Sequence, residues 1–86
     1  MLRFISSHAV DQYIDRIDKT LNFGQARVAM FRVYQMSRSA TEYEQKLLRR
    51  HRDGEVDYRL CDTCFGLLCM PVKRGVVVTI YAVTMP

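Results

Sequence analysis

CFGLLCMPVKRGVVVTIYAV, residues 64–83, is the most apolar stretch of the chain, and one turn signal, Lys73-Arg74-Gly75, divides it. Two strands joined by three residues, with glycine third in the left-handed position, make a type I turn followed by a bulge. That geometry pairs Val72 with Val76, Met70 with Val78 and Leu68 with Ile80. It puts all six on one face of a hairpin, the expected core face. The other face then carries Leu67, Cys69, Pro71, Val77, Thr79 and Tyr81. Just upstream, Val56-Asp57-Tyr58-Arg59-Leu60 alternates with period two and reads as a strand with one buried face, which Asp62 and Thr63 turn into the hairpin. The expected C-terminal half is therefore a three-stranded antiparallel meander.

The N-terminal half has helical spacing. Leu2 to Ile5 could add a short edge strand, and Ser6 and Ser7 are N-cap candidates. Ala9, Val10, Tyr13, Ile14 and Ile17 form one apolar stripe, which predicts a first helix over residues 8–18. Asn22 and Gln25 match a capping box, predicting a second helix over residues 23–37. Its apolar residues nearly surround it. Such a helix is either central to the domain or buries a second side against a partner. Thr41 and Glu44 match another capping box, for a third helix over residues 41–52 with Gly54 as its C-cap. The apolar stripe of this third helix is thin. The fold class is thus α+β: two to three N-terminal helices packed on the meander, in a single domain over residues 1–86.

Eighty-six residues leave no room for a second domain, and 49% hydrophobic residues are enough for a modest core. A net charge of +4 mildly favours an anionic partner. No apolar run reaches the roughly 18 residues of a membrane span, and the N-terminus lacks a signal-type apolar segment. Three cysteines cannot all pair with one another. The expected setting is a reducing cytoplasm with free thiols.

Three groups could carry chemistry. KLLRRHR, residues 46–52, concentrates Lys46, Arg49, Arg50 and Arg52 near a helix end, where they could neutralise phosphates; Arg74 in the hairpin turn adds to this set. Cys61-Asp62-Thr63-Cys64 has zinc-knuckle spacing, but a structural zinc needs four ligands; the remaining candidates are Cys69, His51 and His8, Cys69 lies on the hairpin strand, and no second CxxC exists. No metal and no cofactor are expected. His8 opens the first helix, where an imidazole could move a proton or help bind phosphate.

Two pieces of the chain, Ile5-Ser6-Ser7-His8-Ala9 with Tyr13 and Arg16, and Leu68 to Val72 followed by Val77 to Tyr81, resemble a known group. These are small phage and mobile-element proteins with an HAxxR-type helix and a terminal β-meander, near the BrnT-like and RelE-like toxins. The resemblance implies a compact α+β fold and, for the toxin members, metal-independent RNA cleavage. Carried onto this chain, it marks His8 and Arg16, with Lys73 and Tyr81 as helpers by location. Gln12 stands where the pattern has its first Arg, which removes a fixed charge from the catalytic set.

The leading expectation is a toxin-like protein acting on RNA, an endoribonuclease if the set His8, Arg16, Lys73 and Tyr81 converges. The alternative is a non-enzymatic module that inhibits or recruits a host protein. Either way, the apolar second helix predicts a homodimer, and no membrane partner is expected.

Overall fold

The computed structural model describes residues 4–48 and 56–84. Within them the chain runs β1 (Phe4–Ile5), α1 (Ser7–Arg16), α2 (Phe23–Met36), β2 (Arg38–Ser39), α3 (Glu42–Leu48), β3 (Val56–Thr63), β4 (Gly66–Lys73), β5 (Val76–Val77) and β6 (Tyr81–Val83). The α+β class holds, but the sheet exceeds a three-stranded meander. It is a mixed six-stranded sheet in the order β1-β5-β4-β3-β2, with β6 following β5 along the same side of β4. The meander is its centre, where β3 and β4 pair without interruption from Val56↔Lys73 to Thr63↔Gly66. The two outermost strands have only two residues each. β1 runs parallel to β5, while β2, from the polar stretch between the second and third helices, pairs antiparallel with β3.

The hairpin register differs from the expected one. Lys73 pairs with Val76 and Val72 with Val77, so the loop holds only Arg74 and Gly75. Both have positive φ, 53° and 81°, as a two-residue turn of type I′ requires. Farther along, Cys69 pairs with Tyr81 and Leu68 with Ala82. Met70 and Pro71 therefore lie opposite three residues, Val78, Thr79 and Ile80, which is a bulge. Pro71 explains it. The Val78 N–H donates to the Pro71 carbonyl at 3.0 Å, so the hydrogen-bonding side of Pro71 faces this strand, and proline has no N–H to return. A proline inside a sheet is tolerated where its neighbour bulges. The two-residue turn sets Val77 inward opposite Val72, and the bulge brings Ile80 back to the same face; both are fully buried, while Val76 and Val78 are only half-buried.

Both faces of the sheet are covered. On one, Leu68, Met70, Val72, Val77 and Ile80 pack against Ala9, Val10 and Tyr13 of α1 and Ala26, Met30 and Val33 of α2. On the other, Tyr58, Leu60, Cys69 and Tyr81 pack with Ala40 and with Leu48 of α3. Of the thin apolar stripe of α3 only Leu48 is buried, and Tyr43 and Leu47 stay exposed.

The caps follow the sequence. The Ser6 hydroxyl accepts from the Ala9 N–H at 3.1 Å and starts α1. Asn22 and Gln25 exchange hydrogen bonds of 2.8 and 3.0 Å across the start of α2. Thr41 and Glu44 do the same for α3 at 2.9 and 3.2 Å. The expected end of the third helix and its Gly54 cap lie outside the described residues.

Candidate functional site

α1 is built so that its start meets the bulge. The Ser6 N–H donates to the Val77 carbonyl at 3.0 Å, and the Ser6 hydroxyl donates to the Val78 carbonyl at 3.4 Å. His8 follows, exposed in the first turn, and Arg16 is exposed at the last residue of the helix. With Gln12 between them they are spaced by four and share one side of α1. Eight residues at about 1.5 Å rise separate His8 from Arg16 by about 12 Å along the axis. The Gln12 Oε1 is shielded from solvent and has no hydrogen-bond partner among the described residues.

Lys73 and Arg74 sit near the entry to β1, because the Phe4 N–H donates to the Gly75 carbonyl at 3.2 Å. Tyr81 goes elsewhere. Its side chain is 6% exposed and packs with Tyr58, Leu60 and Cys69 on the face away from α1. The sheet therefore stands between Tyr81 and His8. The convergence on which the endoribonuclease reading was conditional is not seen for three of the four: His8 and Arg16 lie at opposite ends of one helix, and Tyr81 is on the other side of the sheet. Lys46 is exposed on α3, which packs on the Tyr81 face. Arg49, Arg50 and Arg52 lie outside the described residues.

The cysteines are spread just as widely. Cys61 is buried among the residues beneath α1 and α2, Cys69 is buried on the opposite face, and Cys64 is exposed in the β3–β4 turn. Burial, helped by the Asp62 carboxylate, pushes the Cys61 thiol up. Burial also raises the Tyr13 phenol, with Asp18 and Cys64 adding to it, so Tyr13 stays neutral at neutral pH. No group of three or more metal-ligating side chains comes together among the described residues.

One polar cluster has no counterpart in the reading of the sequence. Arg59 on β3 donates through Nη2 to the Ser37 carbonyl at 2.7 Å, through Nε to the Ser37 hydroxyl at 3.0 Å and through Nη1 to the Ser39 hydroxyl at 2.9 Å. Its guanidinium also lies 5.2 Å from the centroid of the Tyr34 ring. α2 has no basic residue in its last turn, and Arg59 supplies the cation that the carbonyl end of a helix favours. It thereby ties α2, β2 and β3 together. Arg59 is 22 positions from Ser37 and 20 from Ser39 in sequence, and no local pattern marks them.

The remaining feature is the outward side of α2. Only Ala26, Met30 and Val33 of this helix are buried. Phe23, Val28, Phe31 and Met36 are 43%, 53%, 36% and 69% exposed. A helix apolar on most sides therefore turns out to be packed on one side only. Arg27 and Arg32 are exposed among these apolar residues, and the helix contains no acidic residue. A shallow groove of about 460 Å³ runs along it, lined by Leu21, Gly24, Gln25, Val28, Ala29 and Arg32.

No family model, no curated protein and no solved structure matches the chain.

Proposed function

We propose that this chain is a non-enzymatic binding module that docks on another protein through the outward side of α2. The supporting observation is the exposure of Phe23, Val28, Phe31 and Met36 beside Arg27 and Arg32. Aromatic residues, Met and Arg are enriched at protein interfaces, and contiguous exposed apolar surface on a small domain marks interaction sites. Metal-independent RNA cleavage asks for something different. It needs a proton-transfer group and cations gathered within hydrogen-bond reach of one phosphodiester. The separation of His8, Arg16 and Tyr81 speaks against that, and so does Gln12 in place of the arginine expected from toxin-like proteins. A host protein that is inhibited or recruited is the partner class this reading implies.

RNA binding without cleavage keeps one supporting observation: Lys46 is exposed on α3 directly ahead of Arg49, Arg50 and Arg52. A photo-reactive amino acid in place of Phe31 separates the readings. Cross-linking to protein is expected. If position 31 cross-links to nothing, while RNA binding falls with salt at a log–log slope of about −0.7 per phosphate contact and flattens on replacing Arg49, Arg50 and Arg52 by Ala, the RNA reading replaces this one. RNA cleavage abolished by His8→Ala would overturn the non-enzymatic assignment itself.

A further inference from the structure

We propose that the partner surface fitted to this face is an amphipathic helix of another protein, its apolar stripe flanked on both sides by carboxylates, packed along α2 in coiled-coil manner. The inference rests on the docking role of α2 and names the chemistry of its occupant.

The spacing of the exposed residues carries it. Gly24, Val28, Phe31 and Gln35 are all exposed and follow one another in steps of four, three and four. That is the a/d seam of a heptad, the row that faces a second helix. Arg27 and Arg32 then fall on g and e, the positions on either side of the seam. At about 100° per residue they lie about 140° apart around α2, one on each flank. Both are exposed, and among the described residues neither has an ion-pair partner; the pairs formed there are Arg38–Glu44 and Arg59–Asp57. α2 holds no acidic residue to offer them. The groove fits the same geometry. Four of its lining residues, Gln25, Val28, Ala29 and Arg32, are spaced i, i+3, i+4 and i+7, the set that encloses a hole for one side chain of a facing helix. Gly24 carries no side chain on this face, so the facing helix can approach the first turn closely.

The two arginines also decide between a foreign helix and a second copy. In a parallel pair a g residue faces the e residue five positions on, which sets Arg27 against Arg32 of the other copy. Like charges opposed across an interface are costly. In an antiparallel pair g faces g and e faces e. The register that stacks Val28 on Phe31 then sets Arg27 against Tyr34 and Arg32 against Gln25, neither of which is charged. Neither alignment of α2 with itself neutralises the arginines, whereas Glu or Asp beside a foreign apolar stripe neutralises both.

The test uses the whole chain and two labelled helical peptides, each three heptads long with leucine at a and d. One has glutamate at e and g, the other lysine, and binding is read by fluorescence anisotropy. The glutamate peptide is expected to bind at least about tenfold more tightly, by a margin that shrinks as salt rises. The photo-reactive residue at position 31 is expected to cross-link it. Arg27→Glu with Arg32→Glu brings the net charge from +4 to 0 and is expected to reverse the preference. A gain of lysine-peptide binding at zero net charge reports the flanks of the seam, and a misfolded variant could not produce it. Equal binding of the two peptides, binding of neither, a preference that the double variant retains, or a bound glutamate peptide that position 31 does not reach would overturn the proposal. So would a wild-type dimer cross-linked through position 31. The cross-linker also tells the two failures apart. Position 31 attached to a different protein, with no preference for the glutamate peptide, keeps the docking face and removes the acidic helix, whereas no cross-link to any protein removes both.

Discussion

Val77→Ala tests the two-residue turn at Arg74 and Gly75. Val77 is fully buried among residues that include Ile5, Met70, Val72 and Ile80, and the shortened turn is what turns it inward. The substitution removes two buried methyl groups, about 0.8 kcal/mol each, or about 1.6 kcal/mol of transfer free energy. The site is enclosed by β1, β4 and both helices and can collapse little, so the cavity left behind raises the loss to about 2–3 kcal/mol. Val76 and Val78 are half-buried, and Val78→Ala is expected to cost about 1 kcal/mol or less. A three-residue turn with no bulge reverses this order, because it places Val76 and Val78 inside and Val77 outside. Urea denaturation followed by circular dichroism is the assay. A lower midpoint at unchanged slope means lost stability rather than an altered unfolded state. At about 4–8 °C per kcal/mol for a domain of this size, the melting temperature of Val77→Ala should fall by about 8–24 °C. A loss for Val78→Ala equal to or larger than that for Val77→Ala would refute this register.

Arg59→Ala should cost about 2–3 kcal/mol by denaturant titration, since it leaves the Ser37 carbonyl and two hydroxyls without their charged donor. Arg59→Lys should recover less than half of that, because an ammonium cannot reproduce the guanidinium fork; full recovery would reduce Arg59 to a simple charge. The Arg38 guanidinium grips both Glu44 oxygens, at 2.7 and 2.8 Å, and holds that carboxyl down at about 2. The folded value lies below the unfolded one near 4.5, so the contribution of the pair is complete above pH about 4.5 and is lost as pH falls through about 2. The stability difference between wild type and Arg38→Ala should shrink across that window, and a difference independent of pH would show that the pair does not stabilise the fold. Because Cys61, Cys64 and Cys69 lie on two faces and a turn, a chelator should leave the melting temperature unchanged; one tightly held zinc per chain would contradict this placement.

The elements themselves were legible in the sequence wherever a local rule decides them. Ser6, Asn22 with Gln25, and Thr41 with Glu44 satisfy helix starts through atoms three residues away, so three residues of sequence are enough to read them. The alternation of Val56, Tyr58 and Leu60 and the Lys73-Arg74-Gly75 turn marked the central hairpin for the same reason. The one local clue to the register, Pro71 inside a strand, was present as well. Its consequence falls on the neighbouring strand, where the bulge keeps Ile80 on the expected core face although the shorter turn has already moved Val77 onto that face. That the chain could cleave RNA was conditional on His8, Arg16, Lys73 and Tyr81 meeting, and periodicity gives no information about which face of a sheet a residue from another element will see. Only the tertiary structure placed Tyr81 across the sheet from His8, recruited Ser37 to Ala40 to β3, and sent Arg59 to the end of α2. It also decided that Phe23, Val28, Phe31 and Met36 stay outside. A helix buries only as many sides as its neighbours cover, and α1 and the sheet together cover one side of α2. The apolar residues left over were visible in the sequence as a surplus; that the surplus forms an exposed face beside two arginines followed from packing alone.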